Sequence, residues 1–291
     1  MLNRFFKLSS VAICACFITY ALCGCTSNES YAKKVVQAIE NNDDAKLDKL
    51  LESKSGNLNS VTQGDLFSAL TESSGYTPLQ YACYTGKDGA VKKLIEHGAD
   101  VNYVTNRSAN KSPLICAMEC KEDSNLEIAK LLIDKGADVN YTQKIGGVEC
   151  YNALMALEDT EFDSIISDKR HTPNAVKLLE MLESSGVDIY KDNMGIGDIL
   201  YRSCLHGNSY FIRFLIEQKD FNVNSNKNRE KQTPLIAFTE QFDEYHTTDD
   251  LKYLLSCGAN PNLKDIYGKT AYDYAKENGN KAFMQILDES T

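Results

Sequence analysis

The stretch from Gly75 to Asn140 repeats itself, and this self-similarity constrains the fold more than any other property of the chain. Gly75-Tyr-Thr-Pro-Leu-Gln-Tyr-Ala-Cys83 is followed by Val91-Lys-Lys-Leu-Ile-Glu-His-Gly-Ala-Asp-Val-Asn102. The same order returns as Lys111-Ser-Pro-Leu-Ile-Cys-Ala117 and Ile128-Ala-Lys-Leu-Leu-Ile-Asp-Lys-Gly-Ala-Asp-Val-Asn140. A period in the thirties, made of a turn and two short apolar helices, marks a stacked array. One such helix pair cannot cover its own apolar face, so each copy is held by its neighbours.

Further copies follow from the same signals. First helices are predicted to start at Thr77, Ser112, Asn152, Asp198, Thr233 and Thr270, spaced by 35, 40, 46, 35 and 37 residues. Every start supplies a side-chain oxygen able to accept from a free backbone N–H at the helix entrance. Pro78, Pro113 and Pro234 then occupy the first helical position, where a missing N–H is harmless. Second helices are predicted over Val91–Glu96, Leu126–Asp134, Ala175–Ser184, Tyr210–Gln218 and Asp250–Ser256, with a terminal one near Lys281–Leu287. Gly98, Gly136, Gly186 and Gly258 close four of them, where a left-handed residue is expected. The exit Gln218-Lys-Asp-Phe-Asn-Val-Asn224 has no glycine and one extra residue, which leaves its turn open.

The Thr-Pro-Leu start and the Gly-Ala-Asp-Val-Asn exit, recurring together, resemble the ankyrin repeat. The resemblance implies an all-α, ankyrin-repeat solenoid of helix-turn-helix repeats with hairpin loops. A degenerate first repeat is expected over 31–62, where Asn41-Asn-Asp-Asp44 interrupts an apolar stripe. About six repeats then fill 63–291, ending in a polar capping repeat that carries Lys276, Glu277 and Asn280. Leu79, Leu94, Leu114, Leu131, Leu154, Leu178, Leu215, Leu235 and Leu254 are expected to share the core.

The beginning of the chain reads differently. Arg4 and Lys7 precede the apolar run Val11–Cys23, the charge and length of a secretory signal. Leu22-Cys-Gly-Cys25 resembles the bacterial lipoprotein box, which implies a signal peptide over 1–24 and a lipidated Cys25 on a tether over 25–30. Thr26 in place of Asp favours the outer membrane, facing the periplasm. A retained membrane anchor or an ordinary signal peptide is the other reading. Acyl chains contribute about 0.8 kcal/mol per buried methylene, so several of them hold a protein firmly to a bilayer.

Charge narrows the partners. The chain carries a net −10, or −12 once the two cations of residues 1–24 are removed. Nucleic acid needs a basic footprint and is not expected. The acidity suits a basic protein partner, or simply a soluble surface. Cys83, Cys116, Cys120, Cys150, Cys204 and Cys257 remain beyond Cys25. An even count in an exported chain allows disulfides, yet Cys83 and Cys204 fall where a small apolar packing residue belongs. No metal ligand set, cofactor site or catalytic constellation emerges. Gly268-Lys-Thr270 and Gly195-Ile-Gly197 are too incomplete for phosphate loops, and Asp43-Asp44 and Asp249-Asp250 read as helix-start residues.

The resemblance places partner binding on hairpin tips near Tyr103–Arg107, Tyr141–Lys144, Tyr190–Asn193, Ser225–Arg229 and Lys264–Tyr267. Tyr103, Tyr141 and Tyr190 share one repeat position and form either an anchor row or braces between hairpins. Arg107 and Lys144 accompany them. The insertions Glu158–Thr172 and Thr239–Thr248, with Phe162, Phe242 and Tyr245, either extend the binding surface or are tolerated loops. The function expected is a non-enzymatic, membrane-tethered and monomeric protein-binding module. It would be an inhibitor or immunity protein for a periplasmic toxin or lipase, or alternatively an envelope scaffold.

Overall fold

The computed structural model describes residues 27–61, 75–104, 110–145, 148–157, 174–190, 197–241 and 243–290. The chain forms two compact units, residues 1–116 and 117–291. The first holds α1 (Ser27–Glu40), α2 (Asp44–Ser53), α3 (Pro78–Tyr84) and α4 (Asp88–Glu96). Helix α5 (Pro113–Met118) follows, and the division between units falls within it. The second unit holds α6 (Asn125–Asp134), a hairpin of β1 (Thr142–Ile145) and β2 (Val148–Asn152), and helical residues 153–157. Then come α7 (Ala175–Ser184), α8 (Ile199–Leu205), α9 (Ser209–Lys219), α10 (Pro234–Glu240), α11 (Thr248–Ser256), α12 (Ala271–Glu277) and α13 (Lys281–Asp288). First helices pack on first helices, α8 on α10 and α10 on α12, and second on second, as α11 on α13.

The six starts named from sequence all act as caps. Thr77, Ser112, Asn152, Asp198, Thr233 and Thr270 each accept from the backbone N–H three residues on, at 3.0–3.3 Å. A cap of this kind contributes about 1 kcal/mol. Thr77 and Thr270 complete reciprocal boxes, with Gln80 and Asp273 bonding back to the cap N–H.

The exits set the register of the core. Gly98, Gly136, Gly186 and Gly258 have φ between 86 and 98°. The N–H just beyond each donates to the carbonyl of Leu94, Leu132, Leu182 or Leu254. Those four leucines have no exposed surface. Leu131, expected in the core, is half-buried instead. Counting back four residues from the exit glycine lands on Leu132, so the expectation was one residue out of phase. The glycine-free exit uses Asp220, left-handed at φ 53°, whose N–H reaches the Leu215 carbonyl. An Asp tolerates that conformation better than a branched residue.

The leading unit is less degenerate than its sequence suggests. Lys54 closes α2 at φ 45° where later repeats use glycine. Asn59 N–H then bonds the Asn57 side chain at 2.9 Å, repeating the exit turns in which Asn102 bonds Asp100 and Asn140 bonds Asp138. Residues 27–30, expected as a tether, are the first turn of α1. The all-α expectation holds apart from the hairpin, where β1 and β2 pair antiparallel with an irregularity between Gln143 and Lys144. Among the described residues, no helix is long and apolar enough to cross a membrane.

Candidate partner-binding surface

Hairpin tips and exit turns are where backbone leaves the apolar stack, and short polar side chains fix them. Tyr190 N–H bonds Asp188, Asn224 N–H bonds Asn222 and Asn262 N–H bonds Asn260, each at 2.9–3.0 Å. These turns also reach their neighbours. Asn59 accepts from Asp100 N–H at 3.0 Å. Asn224 accepts from Asn260 N–H at 2.8 Å and donates to the Gly258 carbonyl at 2.9 Å. These bonds tie the Asn59 turn to the Asp100 turn and the Asn224 turn to the Asn260 turn before any partner arrives, a preorganisation that lowers the cost of binding.

The predicted residues meet different fates. Tyr190 stacks on Phe221 at 4.7 Å and donates its hydroxyl to the Lys219 carbonyl at 3.1 Å. It braces adjacent repeats, yet 41% of its surface stays exposed. Tyr103 is half-buried, and its carbonyl accepts from the Gln80 amide at 3.2 Å. Tyr141 is half-buried just before β1, while Lys144 is exposed within it, in register with Glu149. Cys25, Arg107, Phe162 and Phe242 lie outside the described residues.

The second insertion folds inward. Thr239 belongs to α10, buried, donating its hydroxyl to the Leu235 and Ile236 carbonyls. The connection is therefore only the segment between Glu240 and Thr248. His246 is buried within it, Nδ1 2.7 Å from Asp243 and Nε2 3.1 Å from the Cys204 carbonyl of the preceding repeat. Tyr245 is half-buried, its backbone lying over Gly207. A Cβ on Gly207 would come within 2.9 Å of that backbone, so only glycine accepts the approach. The Tyr245 backbone is thus part of a clasp between repeats, with the residue half-buried.

Buried polar groups tie the closing repeats together. Tyr201 donates to Gln232 at 2.6 Å, and Gln232 reaches the Tyr274 hydroxyl at 3.4 Å and Glu240 at 3.2 Å. Tyr274 donates to Asp265 at 2.6 Å. Burial, then the charges of Glu240 and Glu230, push the Tyr201 phenol far above its usual range, so it stays a donor. Burial also raises Glu240. Asp250, 3% exposed, accepts from Ser209, Thr247 and Arg213. Each of these carboxylates is engaged by neighbouring side chains.

The other sequence motifs resolve structurally. Gly268-Lys-Thr270 is a turn closed by Asp265, whose carboxylate accepts from Tyr267 and Lys269 N–H. Gly195 and Ile196 lie outside the described residues, while Gly197 lies against the Tyr201 ring, where any Cβ would collide at 2.3 Å. Cys83, Cys116, Cys120 and Cys204 are buried thiols, and Cys257 is a partly exposed one. No group of three potential metal ligands is found among the described residues.

Sequence reasoning named the last tip but overlooked its two side chains. Ile266 and Tyr267 are 58% and 61% exposed, the most exposed large hydrophobic residues among those described. The available signal was the pair of apolar residues inside an otherwise polar turn, Lys264-Asp-Ile-Tyr-Gly268.

The family model for ankyrin repeats (three copies) matches residues 35–143 and 200–290, well over half of the chain. The unmatched stretch between them contains the end of β1, all of β2 and α7. The human ASB11 ankyrin repeat domain is similar in structure, with TM-score 0.64 and 21% identity over 88% of this chain and 97% of that one. A chain in the complex of the Bdellovibrio bacteriovorus predatory endopeptidase Bd0816 with immunity protein Bd3460 is also similar. Its TM-score is 0.54 at 23% identity, covering 73% of this chain and 97% of that one. In sequence, the chain is 28% identical over 141 residues to alpha-latrotoxin-Lg1a of Latrodectus geometricus. That match spans 48% of this chain but 9% of the spider protein.

Proposed function

Because this chain belongs to the ankyrin repeat family, we propose that it is a non-enzymatic protein-binding module that inhibits a hydrolytic enzyme or toxin in a bacterial envelope. Membrane attachment through a lipidated Cys25 is part of the same reading, supported by the Leu22-Cys-Gly-Cys25 box. The observation that carries the binding role is the row of tips fixed by side-chain bonds and ending in exposed Ile266 and Tyr267. A rigid surface that keeps apolar side chains in water has a use when a partner covers them. The inhibitory role takes its support from the immunity-protein complex among the similar structures.

Crosslinking the protein in its own cells, identifying the partner by mass spectrometry and assaying that partner provides the test. One stoichiometric hydrolase or toxin, losing activity when the purified protein is added, is the expected result. A partner whose activity is unchanged would defeat the inhibitory reading. Labelling with radioactive palmitate should mark the wild-type chain and fail on Cys25→Ser; equal labelling of both would defeat the anchor.

A further inference from the structure

We infer that His246 is a proton-operated latch. Its two-proton ring fastens the α10–α11 connection onto the end of α8, and loss of one proton releases that hold. The latch goes beyond the protein-binding reading and stands independently of it. The His246 side chain has no exposed surface, yet each ring nitrogen faces an acceptor oxygen. Nδ1 lies 2.7 Å from the Asp243 carboxylate, and Nε2 lies 3.1 Å from the Cys204 carbonyl. A neutral imidazole carries one N–H and one lone pair. In either neutral tautomer a lone pair would therefore point at an acceptor inside a buried site. Only the ring with both protons donates at both ends.

Those two bonds join two repeats. The Asp243 oxygen that meets the ring also accepts from Tyr245 N–H at 2.9 Å, so it orders the connection from within. The Tyr245 backbone in turn lies over Gly207, just beyond α8. The other groups at this corner have different roles. From α10 the Phe238 ring meets His246 edge-on at 4.9 Å, an apolar contact. From α8 come the Cys204 carbonyl and its thiol, which burial drives well above the ordinary thiol range. Arg202 is the buried cation of α8, and His206, half-buried at the helix end, is a second imidazole. From the start of α11 comes Asp250, whose charge reaches Cys204 and which Ser209, Thr247 and Arg213 engage. Glu244 and Asp249 are exposed to water. Asp243 is thus the carboxylate bonded to the ring. Hydrogen bonds to charged groups are roughly twice as strong as neutral ones, so a ring reduced to one proton loses a bond and weakens what is left.

The test follows the isotopically labelled full chain by nuclear magnetic resonance, from about pH 5 upward until His246 gives up a proton. Ring nitrogen shifts count the protons, and the resonance missing from His246→Gln separates this ring from His206. The amides of Gly207 and Tyr245 should shift in the same step as the His246 ring, and that step should be absent from His246→Gln. Chymotrypsin cleavage between Glu240 and Thr248, normalised to a free peptide of the same sequence, should rise roughly tenfold across the step. Asp243→Asn, which removes the charge at nearly constant size, should flatten that rise. A ring that keeps a single proton while the connection stays protected overturns the proposal. So does a ring that titrates without moving either amide or changing cleavage. Both readings come from the wild-type chain, so they decide the matter even where a variant fails to fold.

Discussion

The leading repeats, residues 27–104, and the closing repeats, residues 197–290, use similar helices but bury different chemistry. In the leading part Thr77 and Gln80 are the buried polar residues among those described, and its ion pairs, Lys93 with Asp44 and Asp48, sit at the surface. The closing part buries Asp198, Arg202, Asn228, Gln232, His246, Asp250 and Asp265, among others. Apolar contacts tolerate sliding, whereas a buried carboxylate is satisfied in one arrangement only. The closing repeats are therefore the more strictly registered part, which suits the region that presents Ile266 and Tyr267.

That contrast can be broken from either side. Leu94→Ala and Leu254→Ala, each removing a fully buried leucine, should each cost about 2–5 kcal/mol in chemical denaturation. A large difference between them would mean that apolar filling, not polar content, separates the regions. Asp250→Ala should cost about 2–3 kcal/mol, because Ser209, Thr247 and Arg213 lose a shared acceptor. Its leading counterpart, Lys93→Ala, should stay below about 1 kcal/mol, since both of its partners are exposed. Equal losses would erase the distinction.

Smaller effects sharpen it through pH. Asp273 is held below the usual carboxylate range by the Thr270 backbone N–H and then its hydroxyl. Its contribution should be complete above the unfolded carboxylate range and fade as pH falls through the lowered folded value. Asp273→Asn should remove that dependence and about 1 kcal/mol of stability at neutral pH. Glu240 is shifted the opposite way, raised first by burial. The folded chain then holds a proton that the unfolded chain has already released, so stability falls as pH rises through that interval. Glu240→Gln should raise the neutral unfolding midpoint by the equivalent of about 0.5 kcal/mol or less, with no gain in acid.

The fold was legible because its determinants are local. An oxygen-bearing cap announces each first helix without long-range information, helped by a first-turn proline at three starts and an exit glycine at four exits, and all six caps form as expected. Leu131 was misplaced because two adjacent leucines both fit the apolar pattern, and only distance from Gly136 separates them. The surface was less legible. Tyr190 is anchored and exposed at once, a mixture that composition does not reveal. The clasp at Tyr245 and His246 depends on Gly207, more than thirty residues away in the chain. Ile266 and Tyr267 follow the local pattern of any apolar pair; their exposure emerges only when the tip is built.

The buried thiols lend the molecule a built-in clock. Cys83, Cys116 and Cys204 are each sealed inside a first helix, and burial drives the Cys204 thiol well above its ordinary ionisation range. An alkylating reagent needs the thiolate and a path to it, so modification waits for the surrounding repeat to open. Trapping rates at these positions would report how often each part of the array breathes, in an unmutated protein, and whether a bound partner stills it.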